Sequence, residues 1–128
     1  MNNRAIIVKK INNGYFSVWV WTDGSPEKLC PILENYFKTE KDVDELIACK
    51  NILGIYEKPE YDKNRVPIGN YDRLSNGVYV KHDDGHEKRV IGSFNGFVPS
   101  FFMFFSYDAR YIYLFEKNLW TTYINDRG

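Results

Sequence analysis

The chain has little of what marks a specialised class. Its 128 residues include two cysteines, two histidines and five prolines, and 17 Lys+Arg balance 17 Asp+Glu. Cys30 and Cys49 lack the close spacing of a disulfide framework; each falls inside an expected amphipathic helix, as a reduced core thiol does. A protein that neutralises many phosphates needs a concentrated basic face, and a mimic of DNA needs a strongly acidic composition. Neither is present, so nucleic acid is not an expected partner. The most apolar stretch, Phe97 to Phe105, is about half the length needed to span a bilayer, and it contains Pro99 and Ser100. Met1-Asn2-Asn3-Arg4 leads into an apolar run broken by Lys9 and Lys10, which is not a signal peptide. The expectation is a soluble, cytoplasmic protein with no membrane partner. Repeats, low-complexity tracts, a Walker loop, a dinucleotide fingerprint, a nucleophile elbow and a metalloprotease helix are all missing. No cofactor is therefore expected.

What the chain does have is aromatic residues, 17% of the total: ten Tyr, nine Phe and three Trp. With 44% hydrophobic and 27% charged residues, the rest of the composition is that of an ordinary globular protein. A chain of this length is one domain, burying roughly two-thirds of its unfolded surface.

Arg4 to Ile11 and Tyr15 to Trp21 are β-branched and aromatic, with Asn13-Gly14 between them as a type I′ turn signal. That turn places Ile11 opposite Phe16, Val8 opposite Trp19 and Ile6 opposite Trp21. Both faces of the second strand are apolar towards its end, which predicts an interior strand. Ser25 is a candidate N-cap with Pro26 at the first helical position. Leu29, Ile32, Leu33, Tyr36 and Phe37 then form one helical stripe, interrupted by the awkward Pro31. A second helix opens at Thr39, where Thr-Glu-Lys-Asp resembles a capping box, with Val43, Leu46 and Ile47 as its apolar face.

Residues 56–76 read as a long polar surface loop, and such loops are often functional. Val78 to Val80 and Arg89 to Ile91 flank His82-Asp83-Asp84-Gly85-His86 as a second hairpin. Arg110 to Phe115 and Leu119 to Ile124 make a third, and Phe94 to Phe105 is an apolar connection. The expected fold is a single α+β domain: an antiparallel sheet built from three β-hairpins, with two helices packed on one face.

Three kinds of chemistry are open to these residues. More tyrosines and tryptophans are present than a small core can bury, and such residues are enriched at interface hot spots. Trp19, Tyr56, Tyr61, Tyr71 and Tyr79, with Asp23, Arg65, Arg73, His82 and Arg89, are the candidate binding residues. A tyrosine or tryptophan stacked on a base, with Arg65, Arg73 or Arg89 on phosphate, would instead hold a nucleotide signal. Asp23, Asp83, Asp84 and Glu87 could gather into the carboxylate cluster of a metal-dependent hydrolase. The two histidines do not form a metal site, because an Asp84-Gly85 turn sends His82 and His86 to opposite faces.

Trp21-Thr22-Asp23-Gly24-Ser25-Pro26 resembles the His-Trp-Asp-Gly-Tyr-Pro-like segment of a group of small phage and mobile-element proteins. Leu33-Glu34-Asn35-Tyr36 is similar to their Leu-x-x-Tyr helix, and Val43-Asp44-Glu45-Leu46-Ile47 to their second helix. Val80 to Glu87 resembles their charged turn, and Tyr111-Ile112-Tyr113-Leu114-Phe115 to Trp120 their closing hairpin. The group's His and Trp are Trp21 and Thr22 here, and its helix glycine is Pro31, so no role of that histidine carries over. The resemblance implies an accessory protein that acts in the host cytoplasm on a host or defence-system protein. The leading expectation is thus a non-enzymatic, anti-CRISPR-like inhibitor, with oligomeric state left open.

Overall fold

The computed structural model describes residues 3–49, 52–82, 96–107 and 109–125. β1 (Ala5–Ile11) and β2 (Gly14–Val20) form the first hairpin, pairing from Ile11↔Gly14 to Ala5↔Val20. The turn residues are Asn12 and Asn13, one position earlier than expected, so Ile6 faces Trp19 rather than Trp21. Gly14 is used differently: a Cβ there would lie 2.9 Å from Val98 O and still closer to the Phe97 ring. Its missing side chain admits a neighbouring strand. The strands slide by two residues relative to the expectation, which leaves every side chain on its expected face.

Gly24 N–H donates to Asn3 O and turns the chain into α1 (Pro26–Tyr36), which tolerates Pro31 in its interior. α2 (Glu40–Ala48) opens with the expected cap: Thr39 Oγ1 accepts from Asp42 N–H and donates to the Asp42 carboxylate at 2.9 Å. The two helices carry the chain back across one face, so β3 (Ile52–Tyr56) runs parallel to β2. β4 (Asn70–Arg73) and β5 (Tyr79–His82) follow, then β6 (Gly96–Val98) and a 3₁₀ turn over Phe101–Ser106. β7 (Tyr111–Glu116) and β8 (Leu119–Ile124) close the fold. Lys117 and Asn118 between them have φ of 53° and 62°, the paired left-handed conformations of a type I′ turn.

The expected α+β architecture holds, with a mostly antiparallel eight-stranded sheet, but the three-hairpin construction does not. The order is β4-β5-β3-β2-β1-β7-β8, with β6 on the first half of β2. β1–β7 and β2–β3 are parallel pairs. The 56–76 region is not all loop, since it contains β4, which serves as the hairpin partner of β5. The tip beyond His82 and the expected strand at Arg89–Ile91 lie outside the described residues.

Alternation along the central strands builds two cores. Ala5, Ile7, Val18, Val20, Tyr113 and Phe115 pack under the helices on Leu29, Leu33, Phe37, Val43 and Leu46. Ile6, Val8, Trp19, Ile112 and Leu114 face the other way and are covered by Val98 and Phe104. Central strands covered on both sides read as near-continuous apolar runs, as β1, β2 and β7 do. No helix among the described residues is long and apolar enough to cross a membrane.

Candidate functional site

Among the described residues, the helices cover one side of the β4-β5-β3 end of the sheet and no helix or strand covers the other. Ile55, Val78 and Val80 point to the helices and are buried. Alternation then sends their neighbours to the opposite side: Tyr56 from β3, Tyr79 and Lys81 from β5, Tyr71 and Arg73 from β4. Register sets them in rows, with Arg73, Tyr79 and Tyr56 opposite one another and Tyr71, Lys81 and Gly54 in the next row. The rings meet edge-on: centroids are 6.4 Å apart for Tyr56–Tyr71 and 6.5 Å for Tyr71–Tyr79. Lys81 Nζ lies 5.7 Å from the Tyr71 ring and the Arg73 guanidinium 6.0 Å from Tyr79, both within cation–π range.

A glycine gives this face its shape. The Tyr56 ring folds back over Gly54, where a Cβ would sit 2.6 Å from Tyr56 Cε2 and Cζ. The Tyr56 hydroxyl thereby reaches Asp23, donating to Oδ2 at 2.6 Å, while Lys28 Nζ donates to Oδ1 at 2.9 Å. Asp23 stands at the corner after β2 with φ 55°, and Thr22 ties that corner to β3 through Leu53 O. The Tyr56 and Lys28 hydrogen bonds hold the Asp23 carboxyl below its ordinary range. Burial first, then the bond to Asp23, push the Tyr56 phenol well above its own, so it stays a donor. Between them is a cleft of about 440 Å³ lined by Thr22, Asp23, Tyr56, Glu60, Tyr71 and Lys81. Glu60 N–H donates to the Tyr71 hydroxyl at 3.2 Å, tethering the 57–69 segment to the sheet.

No protein-family model, curated protein or solved structure matches this chain.

Of the ten candidate binding residues, Asp23, Tyr56 and Tyr71 meet in the cleft, and Tyr79 and Arg73 lie beside them. Tyr61 and Arg65 sit on the exposed 57–69 segment, with Arg65 at φ 62°, and do not line the cleft. Trp19 is corrected: it is 1% exposed, packed in the core between the sheet and the 3₁₀ turn, and offers no contact surface. His82 does not join this face: alternation turns it to the helix side, where Nε2 bonds Asp72 at 2.7 Å beside Glu45 and Cys49. Arg89, Asp83, Asp84 and Glu87 lie outside the described residues. Among the described residues no group of three His, Cys, Asp or Glu could hold a metal ion.

Lys81 and Gly54 were missed by sequence reasoning. Lys81 was within reach, since it alternates with Tyr79, but the pairing of β4 that brings Tyr71 opposite it leaves no local signal. Chemically, the site offers aromatic edges, the cationic residues Lys58, Lys81 and Arg73, and the acidic residues Asp23 and Glu60, of which Asp23 is already hydrogen-bonded and charge-paired. Those are recognition groups, and a carboxylate held in this way is a poor proton acceptor.

Proposed function

We propose that this chain is a non-catalytic binding protein, a phage or mobile-element accessory that inhibits a host or defence-system protein. Its contact surface is the Tyr56–Tyr71–Tyr79 face with Arg73, Lys81 and the 57–69 segment. One observation carries the reading: three tyrosines are locked edge-to-edge, with cations over two of them, on the side of the sheet away from the helices. Tyr and Arg dominate interface hot spots, and side chains ordered beforehand lose less entropy on docking. The phage-protein resemblance supplies the setting. In the test, a tagged chain is compared with its Tyr71→Ala/Tyr79→Ala form in pull-downs from host lysate, with and without an expressed defence system. A stoichiometric partner held by the parent should be lost by the variant, whose circular dichroism and melting stay near the parent's. Undiminished capture by a folded variant overturns the proposal.

The 440 Å³ cleft favours one alternative. It falls in the size range of small-molecule sites, and Tyr71 with Lys81 on its wall suits a nucleotide base and phosphate. Calorimetric titration with cyclic nucleotides decides this: absence of heat with all of them removes the alternative.

A further inference from the structure

The two edges of the sheet are unlike. β4 has four residues, Asn-Tyr-Asp-Arg, with charge along it and the 57–69 segment tethered beside it. β8 has six residues, Leu-Trp-Thr-Thr-Tyr-Ile, and contains no charge, proline or glycine. Natural edges are blunted by lysine, proline, bulges or covering loops, because a row of unpaired N–H and C=O groups invites another strand. Among the described residues, β8 carries none of these devices. Its register with β7 is unbroken from Tyr111↔Ile124 to Glu116↔Leu119, and no strand among the described residues lies along its outer side.

Which groups face outward follows from the ladder. Asn125 N–H donates to Arg110 O at 2.8 Å, which makes that a hydrogen-bonded pair. Such pairs alternate with non-bonded ones in an antiparallel ladder. Leu119, Thr121 and Tyr123 therefore bond inward to β7. Trp120, Thr122 and Ile124 turn their N–H and C=O to the open edge, with Thr122 at the centre.

We propose that β8 pairs antiparallel with β8 of a second copy of this chain, about a two-fold axis at Thr122, extending both sheets into one. An axis normal to the sheet sets Thr122 against its own image and Trp120 against Ile124. Each of the three pairs exchanges two backbone hydrogen bonds; sliding the register by two residues loses a pair. Opposed residues share a face, so Ile124, 58% exposed in the single chain, comes to lie beside Trp120 of the other copy, whose indole stays held by Phe37 O and the Phe115 ring. A second copy is the occupant because the strand complements itself in this register, and no like charges meet at the axis. A contact one strand wide belongs at the low end of interface sizes, below about 1,200 Å² in total, so the dimer depends on concentration. Its two tyrosine faces stand at the far ends of the shared sheet. If the proposed function holds, the dimer is a bivalent binder; the dimer itself does not depend on that reading.

Sedimentation velocity from micromolar to millimolar loading should show the parent chain passing from monomer to dimer. Thr122→Lys and Thr122→Glu each place like charges at the axis and should move that transition at least tenfold upward in concentration. Mixing the two restores dimer, because Lys then meets Glu. Circular dichroism and melting verify that both variants are folded. Cys30 Sγ lies 3.5 Å from Thr122 Oγ1, so a bismaleimide should cross-link the parent through Cys30. The product should survive Cys49→Ser and vanish with Cys30→Ser. Monomer at every concentration overturns the proposal, as does a dimer indifferent to both Thr122 charges or cross-linked only through Cys49.

Discussion

Gly54→Ala is the smallest substitution that reaches the candidate site, and its effect is calculable. Gly54 does not have positive φ, so alanine fits the backbone. Its methyl does not fit, lying 2.6 Å from Tyr56 Cε2 and Cζ. The ring must swing off the strand, taking its hydroxyl from Asp23. A hydrogen bond to a charged group contributes about 1.5–3 kcal/mol. The Asp23 side chain is 35% exposed, so water replaces part of that bond and leaves roughly 1 kcal/mol. Losing the Tyr56–Tyr71 edge contact adds about 0.5–1 kcal/mol. Removing a glycine returns about 0.5–1 kcal/mol through the unfolded chain. The net is about 1 kcal/mol of destabilisation, a fall of roughly 3–6 °C in Tm for a domain of this size.

Tyr56→Phe removes the hydroxyl alone and should cost a similar amount, and pH ties both effects to Asp23. A carboxyl depressed in the folded state adds stability above its unfolded pKa of about 3.9, lost as pH falls through the folded value. Both variants weaken the depression, so each should differ from the parent fully at pH 7 and less at pH 3. Urea unfolding at the two pH values measures this, alongside ¹³C titration of the Asp23 carboxyl. A Gly54→Ala protein with parental stability and an unmoved Asp23 titration refutes the reasoning.

Asn125 is 3% exposed, and its amide donates to Ala109 O at 3.0 Å, Tyr107 O at 3.2 Å and Phe105 O at 3.3 Å. Asn125→Ala strands those carbonyls and should cost about 2–3 kcal/mol, with faster amide exchange across Phe101–Ser106; parental exchange rates there would contradict it. Lys9 is 9% exposed and paired with Asp44 and, at 3.5 Å, with Glu40. Burial alone lowers the Lys9 pKa, but the hydrogen bond and charge of Asp44, then those of Glu40, reverse this and raise it overall. Asp44→Asn should therefore cost about 1–2 kcal/mol at pH 7. A raised lysine stabilises below its unfolded pKa of about 10.4 and stops doing so as pH rises through the folded value. The gap between parent and variant in denaturant titrations should accordingly close in alkali. A pH-independent gap would assign the loss to packing instead.

The parts legible in the amino-acid sequence are those whose causes are local. The β1–β2 and β7–β8 hairpins join strands that are neighbours in the chain, and the Lys117-Asn118 turn needs no distant partner. α1 and α2 follow from helical spacing and from Thr39 as a cap. Two-sided apolar character marked β2 as interior before its neighbours were known. β4 escaped because an edge strand exposed on both faces shows no alternation, and Asn-Tyr-Asp-Arg becomes a strand only through its bonds to β5. The parallel pairs β1–β7 and β2–β3 join segments separated by helices or by most of the chain, and nothing local encodes such closure. For the site, composition alone announced more aromatic residues than a small core can hold. Which ones stay accessible was a tertiary decision: Trp19 lies under the 3₁₀ turn, whereas Tyr56, Tyr71 and Tyr79 lie where no element among the described residues covers the sheet. Periodicity tells which residues share a face, and only the packing of distant elements decides which face is left open.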